Sequence, residues 1–323
     1  MRILLVRLSA LGDVVTGLHP LSSLRTRYPE GRIGWLVEDR FAALLEGHPQ
    51  LDRLHVYERG KYRRGRLWAL VRLLRGLRRE RYDVALDLQG NLKSGVLTRL
   101  SGARRTLGLA PPLSREGNRL FLRELVTPPE GHRVDAYRRL VDAAFGPGPH
   151  APPVLPASGG APGAVVLHPG TSRFGAFKQW PLPHFAELGR RLAARLGAPV
   201  VVTAGPGEGS QAAEVARAIE GARVAEPAGL RALADLLGGA RLVVACDTGP
   251  AHIAATLGVP TLTLFGPKDP RHAAPVGPRA RAVRKGVRCS PCALRYCPDP
   301  VCMTTLGVDE VEREALRLLE GAK

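Results

Sequence analysis

Near the middle of the chain, the eighteen residues GPGPHAPPVLPASGGAPG at 146–163 hold eleven Pro or Gly, too many to propagate a helix or a central strand. They split 323 residues into two stretches of ordinary domain size, about 100 to 200 residues each. We read 1–150 as one domain, 164–323 as a second, and 146–163 as the linker between them.

On both sides of the break, short apolar runs alternate with longer amphipathic stretches, the pattern of parallel strands connected through helices. Strands are predicted at 3–8, 33–37, 54–57 and 84–88, with helices at 14–27, 66–79, 91–101 and 133–145. The second series places strands at 164–168, 199–203, 242–245 and 261–265 and helices at 183–196, 209–220, 229–238 and 249–257, with a last helix at 309–319. The expected fold is α/β, two Rossmann-like doubly wound domains facing a central cleft. Ligands of such sheets sit beyond the carboxyl ends of the strands, so the residues that follow each strand are where chemistry is sought.

Composition narrows the partners. No stretch approaches the roughly 20 apolar residues of a membrane span, and Arg7 and Asp13 break the apolar start MRILLVRLSALGDVV, which reads as a first strand and not a secretory leader. A soluble, cytoplasmic chain is expected, with its five Cys reduced or metal-bound and not a dispersed disulfide framework. A net charge of +18, from 47 Lys and Arg against 29 Asp and Glu, favours anionic partners, although arginine richness also follows from GC-rich coding. Nucleic acid is disfavoured as that partner, because aromatic residues make up only 5% and none cluster in the basic run to stack on bases.

Four post-strand segments carry candidate chemistry. In Leu8-Ser9-Ala10-Leu11-Gly12-Asp13, Gly12 permits a tight turn and Asp13 is either a proton acceptor for a sugar hydroxyl or a helix cap. His168-Pro169-Gly170-Thr171-Ser172, followed by Lys178-Gln179-Trp180-Pro181, offers amides, hydroxyls and an ammonium suited to a diphosphate. Asp247-Thr248-Gly249-Pro250-Ala251-His252 opens a helix whose first amides form an anion site, though Asp247 and Thr248 are also ordinary N-caps. Gly205-Pro206-Gly207-Glu208-Gly209 lacks the dinucleotide spacing, which argues against NAD; Glu208 is either a ribose-hydroxyl ligand or a first-turn acid.

Taken together, S-x-x-G-D at 9–13, D-L-Q-G-N-L-K-S at 87–94, H-P-G-T-S with K-x-W-P at 168–181, and D-T-G-P-A-H at 247–252 resemble glycosyltransferase family 9, the ADP-heptose:lipopolysaccharide heptosyltransferases, over nearly the whole chain. The resemblance implies a GT-B fold and an inverting, metal-independent transfer of heptose from ADP-heptose to the lipopolysaccharide inner core. It implies Asp13 as the catalytic base and Lys178 as the donor-phosphate lysine. Thr171 and Ser172 become phosphate-loop hydroxyls, and Asp247, Thr248, Gly249 and His252 hold the sugar and diphosphate. Ser9 and Gly12 fall to the acceptor side. Two positions depart from the pattern: Ala10 stands where some members carry a second hydroxyl residue, and Pro250 where some carry a bulkier apolar one.

Residues 59–81 hold ten Lys or Arg and one acid, with Leu67, Leu70, Val71, Leu74 and Leu77 at helical spacing. This is either a helix with a leucine core face and solvated arginines or a surface for phosphorylated lipid A and the anionic inner leaflet, which would place the protein peripherally on the cytoplasmic membrane. Lys61, Arg63 and Arg64, with Gln89 and Lys93 at another strand end, are candidates for the anionic acceptor. Cys289-x2-Cys292-x4-Cys297-x4-Cys302 has the spacing of a structural zinc knuckle, with reduced thiols packed in a loop or a disulfide pair as the alternatives. A monomer is expected. The rival readings are a transferase or epimerase for another nucleotide sugar and, more remotely, a nucleic-acid-binding protein.

Overall fold

The computed structural model describes residues 1–63, 67–160, 162–171, 173–292, 294 and 296–321. It divides into two units, Met1–Val154 and Leu155–Lys323.

The first unit runs β1 (Arg2–Val6), α1 (Leu11–Thr16), α2 (Leu18–Arg27), β2 (Arg32–Glu38), α3 (Asp39–Ala42), β3 (Arg53–Tyr57), α4 (Arg59–Arg63), α5 (Leu67–Arg79), β4 (Val84–Asp87), α6 (Leu92–Leu100), β5 (Arg105–Leu109), a 3-10 turn at Asn118–Phe121, β6 (Glu124–Val126) and α7 (Arg133–Phe145). The strands form a parallel sheet in the order β3-β2-β1-β4-β5-β6. β1 is buried from Ile3 to Val6, as a parallel strand covered on both faces must be.

The second unit repeats the plan with β7 (Val165–His168), a 3-10 turn at Arg173–Lys178, α8 (Leu182–Leu196), β8 (Val200–Thr203), α9 (Gly209–Arg217), β9 (Arg223–Ala225), α10 (Leu230–Gly238), β10 (Leu242–Cys246), α11 (Gly249–Thr256), β11 (Thr261–Phe265), α12 (Pro270–Ala273), β12 (Ala280–Arg284), α13 (Val301–Thr304) and α14 (Val308–Glu320). Its sheet is also parallel, ordered β12-β11-β10-β7-β8-β9. Counted from its own first strand, each unit reads 3-2-1-4-5-6, the Rossmann order, which reverses direction between first and fourth strands. The crevices that bind ligands in this topology therefore lie beyond β1 and β4 in the first unit and beyond β7 and β10 in the second.

Three expectations change. The helix predicted at 14–27 begins at Leu11 and is interrupted at Gly17, where an added Cβ would stand 2.7 Å from the Trp35 ring; the first turn carries Asp13. The stripe on α5 divides, because Leu70, Leu74 and Leu77 lie against the core whereas Leu67 and Val71 are exposed. The described residues of 146–163 form no helix or strand, yet the first part is tied down: Arg27 donates to the carbonyls of Gly146, Gly148 and Pro149 at 2.7–2.9 Å and pairs with Asp142. Its later part meets the second unit, with Ser158 N donating to Asp235 at 2.6 Å.

Candidate active site

In the first unit, Gln89 follows β4 and its Oε1 accepts from the amides of Leu8 (2.7 Å) and Ser9 (3.2 Å), fixing the turn after β1. Gln89 is itself fixed by Asp87, whose Oδ1 accepts from the amides of Gln89 and Gly90 and whose Oδ2 accepts from Asn118 (2.6 Å) and Ser94 (2.8 Å). Burial pushes the Asp87 carboxyl up, while these bonds favour its charge.

That turn delivers Asp13, one-third exposed, into a clamp of two guanidinium groups. Arg7 Nη2 lies 2.5 Å from Oδ2 and Arg133 Nη1 3.0 Å from Oδ1. Arg7 is buried, and its Nη1 donates to the Leu88 carbonyl at 2.5 Å, so its position is set by the sheet. Burial raises the Asp13 carboxyl, but Arg7, Arg133 and the Ala10 amide outweigh it and hold the group below its ordinary 3.8. Asp13 is thus ionised at neutral pH and aimed by charge. It also accepts from Ala10 N at 3.3 Å, so the capping reading holds alongside. Arg7 and Arg133 were not foreseen as site residues, although a charge inside an apolar first strand signals a buried partner nearby.

In the second unit, His168 ends β7, fully enclosed, with Nδ1 3.0 Å from Thr203 Oγ1; burial lowers it to about 4, leaving the ring neutral. A neutral ring 3.8 Å from Glu208 is no ion pair. Glu208 accepts from Gly205 N at 2.8 Å and lies directly against Gly170, where any Cβ would collide with its carboxylate. A larger residue at 170 would therefore have to push that carboxylate aside. Half-burial raises Glu208. Lys178 Nζ pairs with Asp247 Oδ2 at 2.6 Å, joining the segment before α8 to the end of β10.

The K-x-W-P order has a physical reason. Trp180 is wholly buried, donates its indole N–H to Leu306 O at 2.8 Å and its amide to Cys246 Sγ at 3.3 Å, and so anchors Lys178 two residues earlier. Gln179, not singled out from the sequence, donates to the Pro169 carbonyl and to Gln211, tying the two loops together. Thr248 is the N-cap of α11, but its hydroxyl donates back to Cys246 O at 3.1 Å and makes no side-chain cap bond to the first amides of α11. His252 lies on the first turn of that helix, half-buried.

The loop after β7 and the start of α11 thus supply helix amides, the Thr171 backbone and an ammonium with three donors, one already on Asp247, the donor types that a phosphate accepts from. The model of glycosyltransferase family 9 (heptosyltransferase) matches residues 70–301. Lipopolysaccharide heptosyltransferase 1 of Pseudomonas aeruginosa is 32% identical over 314 residues, covering 92% of this chain and 87% of that protein. The chain belongs to glycosyltransferase family 9. Its counterpart in Escherichia coli K12 is 29% identical over 289 residues, 84% of this chain and 89% of that protein. Among solved structures, E. coli heptosyltransferase WaaC with ADP superposes with a TM-score of 0.82 at 25% identity, covering 98% of this chain and 100% of that one. WaaC with ADP-2-deoxy-2-fluoro heptose gives 0.80 at 26%, covering 98% and 99%. The family member described here has the GT-B fold of two Rossmann-like units.

The remaining candidates divide. Lys93 is engaged by the buried Glu38 at 2.6 Å, and Lys61 by Glu58, so neither ammonium is a bare acceptor contact. Gln89 spends its carbonyl on the β1 turn. Ser9 and Gly12 are half-buried in that turn. The expectations for the Arg63 side chain, for Arg64 and for Ser172 lie outside the described residues. The cysteine spacing leaves a zinc ligand set open beside free thiols or a disulfide; among the described residues no three His, Cys, Asp or Glu are arranged to hold a metal ion. Cys302 is buried against Gly266, Cys292 and Cys297 are half-buried and Cys289 is exposed, and burial together with the three neighbouring thiols pushes the Cys302 thiol up. Cys246 is enclosed, its thiol pushed up to about 12 by burial, and inert.

Proposed function

We propose that this chain transfers heptose from ADP-heptose to the inner core of a lipopolysaccharide precursor, either the lipid A–Kdo acceptor or its first heptose, by a single inverting displacement. The observation that carries this reading is likeness to lipopolysaccharide heptosyltransferase 1 over 92% of this chain and 87% of that protein, supported by the clamped Asp13 carboxylate in the first unit and the Lys178–Asp247 pair in the second. Support for the donor comes from the ADP and the ADP-heptose analogue bound by WaaC.

In the proposed step the acceptor hydroxyl oxygen attacks the anomeric carbon opposite the ADP, and its proton passes to Asp13. The bond from the anomeric carbon to the β-phosphate oxygen breaks, and ADP leaves. Charge accumulates on the departing diphosphate, where Lys178, the α11 amides and Thr171 stabilise it, with Ser172 assigned to the same role by its place in the family motif. Glu208 is assigned to the ribose hydroxyls, and Asp247, Thr248, Gly249 and His252 to heptose and diphosphate. A weak base suffices, because the breaking bond leaves oxocarbenium character that makes the hydroxyl more acidic as attack proceeds. Arg7 and Arg133 then serve to aim Asp13.

We further propose that the transfer itself uses no metal, that the protein acts as a monomer in the cytoplasm, and that its lipid-linked acceptor brings it to the inner face of the cytoplasmic membrane. A structural zinc on Cys289, Cys292, Cys297 and Cys302 requires the buried and exposed thiols to turn toward one point. The test of the donor is a panel of ADP- and UDP-sugars with a truncated lipopolysaccharide: acceptor-dependent release of ADP from ADP-heptose is expected, and release of UDP, or epimerised donor without transfer, overturns the reading.

A further inference from the structure

Helix α5 has two faces of different character. Leu70, Leu73, Leu74 and Leu77 close over a core that includes Leu4, Val6 and Leu36. The solvent side opens with Leu67, exposed at the first residue of the helix, and with Trp68 and Val71 beside it, which are 73%, 53% and 44% exposed, and continues with the exposed arginines 72, 75, 78 and 79. The Arg72 guanidinium stands 5.6 Å and the Lys61 ammonium 6.0 Å from the Trp68 ring centre. The acid of this stretch, Glu80, is already engaged by Arg32 and Arg53.

Single exposed apolar residues are ordinary on a protein surface. Three on adjoining turns, ringed by cations, are a patch with a matching partner: an apolar layer bordered by negative charge. That is the boundary between acyl chains and anionic headgroups, where an indole sits at headgroup level and guanidinium groups pair with phosphate. The thirteen residues of α5 span only about 20 Å, and no described helix is long and apolar enough to cross a membrane, so the helix lies along the surface. Nucleic acid would satisfy the arginines but leave Leu67 and Val71 in water.

We propose that the outer face of α5 docks the protein onto an anionic phospholipid bilayer, with Leu67, Trp68 and Val71 entering the headgroup region and Arg72, Arg75, Arg78 and Arg79 binding lipid phosphates. This deepens the reading of a lipid-linked acceptor by naming the surface that meets the same bilayer.

The test uses co-sedimentation of the full chain with vesicles of phosphatidylethanolamine containing phosphatidylglycerol, against phosphatidylcholine vesicles, with no acceptor present. Binding to the anionic vesicles alone, weakened by salt, is expected. The triple variant Leu67→Ser, Trp68→Ser, Val71→Ser should lose about tenfold or more in affinity, and Arg72→Gln and Arg75→Gln about fivefold each. The thermal midpoint of the triple variant and its turnover of a deacylated, water-soluble acceptor should match wild type. Equal vesicle binding by the triple variant, or no anionic preference in wild type, overturns the proposal. Loss of soluble-acceptor turnover would reassign the face to the acceptor site, and a dimer present only in wild type would reassign it to a second copy. If wild type binds vesicles but no donor yields transfer, the proposed function fails while the docking surface stands.

Discussion

Replacing Lys178 by Met separates a donor-binding role from a merely structural one. The ammonium sits 2.6 Å from Asp247 Oδ2, with the two side chains 23% and 14% exposed. Breaking a fully buried pair from one side costs about 3–5 kcal/mol; with both partners partly wet, we expect about 2–3 kcal/mol here. For a unit of this size, about 2–4 °C accompanies each kcal/mol, so the second unit should melt roughly 4–12 °C lower. The donor loses a charged hydrogen bond of about 1.5–3 kcal/mol, a fall of roughly 10- to 150-fold in ADP affinity, deepened by repulsion from the bared Asp247. The double variant Lys178→Met, Asp247→Asn removes the orphaned charge, so it should regain most of the melting temperature without regaining ADP affinity. Calorimetric titration with ADP and thermal scans of all three proteins read both quantities. Wild-type ADP affinity in the double variant would refute the assignment and leave the pair as structure alone.

Other outcomes follow from the same geometry. His55 and His168 are held neutral by burial, each lowered to about 4 from 6.5. The unfolded chain takes up their protons first, so stability is full above pH 6.5 and falls toward pH 4 by up to about 3 kcal/mol for each; chemical denaturation across that range should show the loss, and His168→Gln should flatten it for the second unit. Asp13 is depressed, so its ion pairs persist above 3.8 and are lost as pH falls through its lower folded value, and the acid limb of kcat/KM should move to higher pH in Arg133→Ala. Gly170→Ala places a methyl group on the Glu208 carboxylate and should weaken ADP-heptose binding by about tenfold or more while leaving the fold intact. Transfer should persist in EDTA without added metal; elemental analysis returning one zinc per chain would show that the four thiols close on a metal as their spacing allows.

The fold was largely legible because its inner strands are uniform apolar runs. β11 (Thr261–Phe265) matches its predicted bounds, and α7 (Arg133–Phe145) likewise. The edge strands β6, β9 and β12 are not legible because they are short or carry charges at alternate positions: Glu124–Val126 and Arg223–Ala225 have three residues each, and ARAVR alternates; β5, RTLGL, is an interior strand whose Thr and Gly break up its apolar run. Edge strands need only one buried face, and three residues establish no period. Within the site, segments that follow strands announced themselves through Gly, Asp and Thr at fixed offsets. The Asp13 clamp did not, because Arg133 lies 120 residues away and only the sheet order brings α7 beside the end of β1. On α5 the period located the helix but not its surface: Leu67 shares the phase of Leu70 and Leu74, yet it is the first residue of the helix and remains in solvent.

In the proposed transfer Asp13 accepts the proton of the acceptor hydroxyl. The direct measurement is the single-turnover rate of Asp13→Asn with ADP-heptose and a heptose-less acceptor, with donor affinity titrated in parallel. We expect the rate to fall by about 10²- to 10⁴-fold with donor affinity unchanged; a rate within a few fold of wild type would contradict the account.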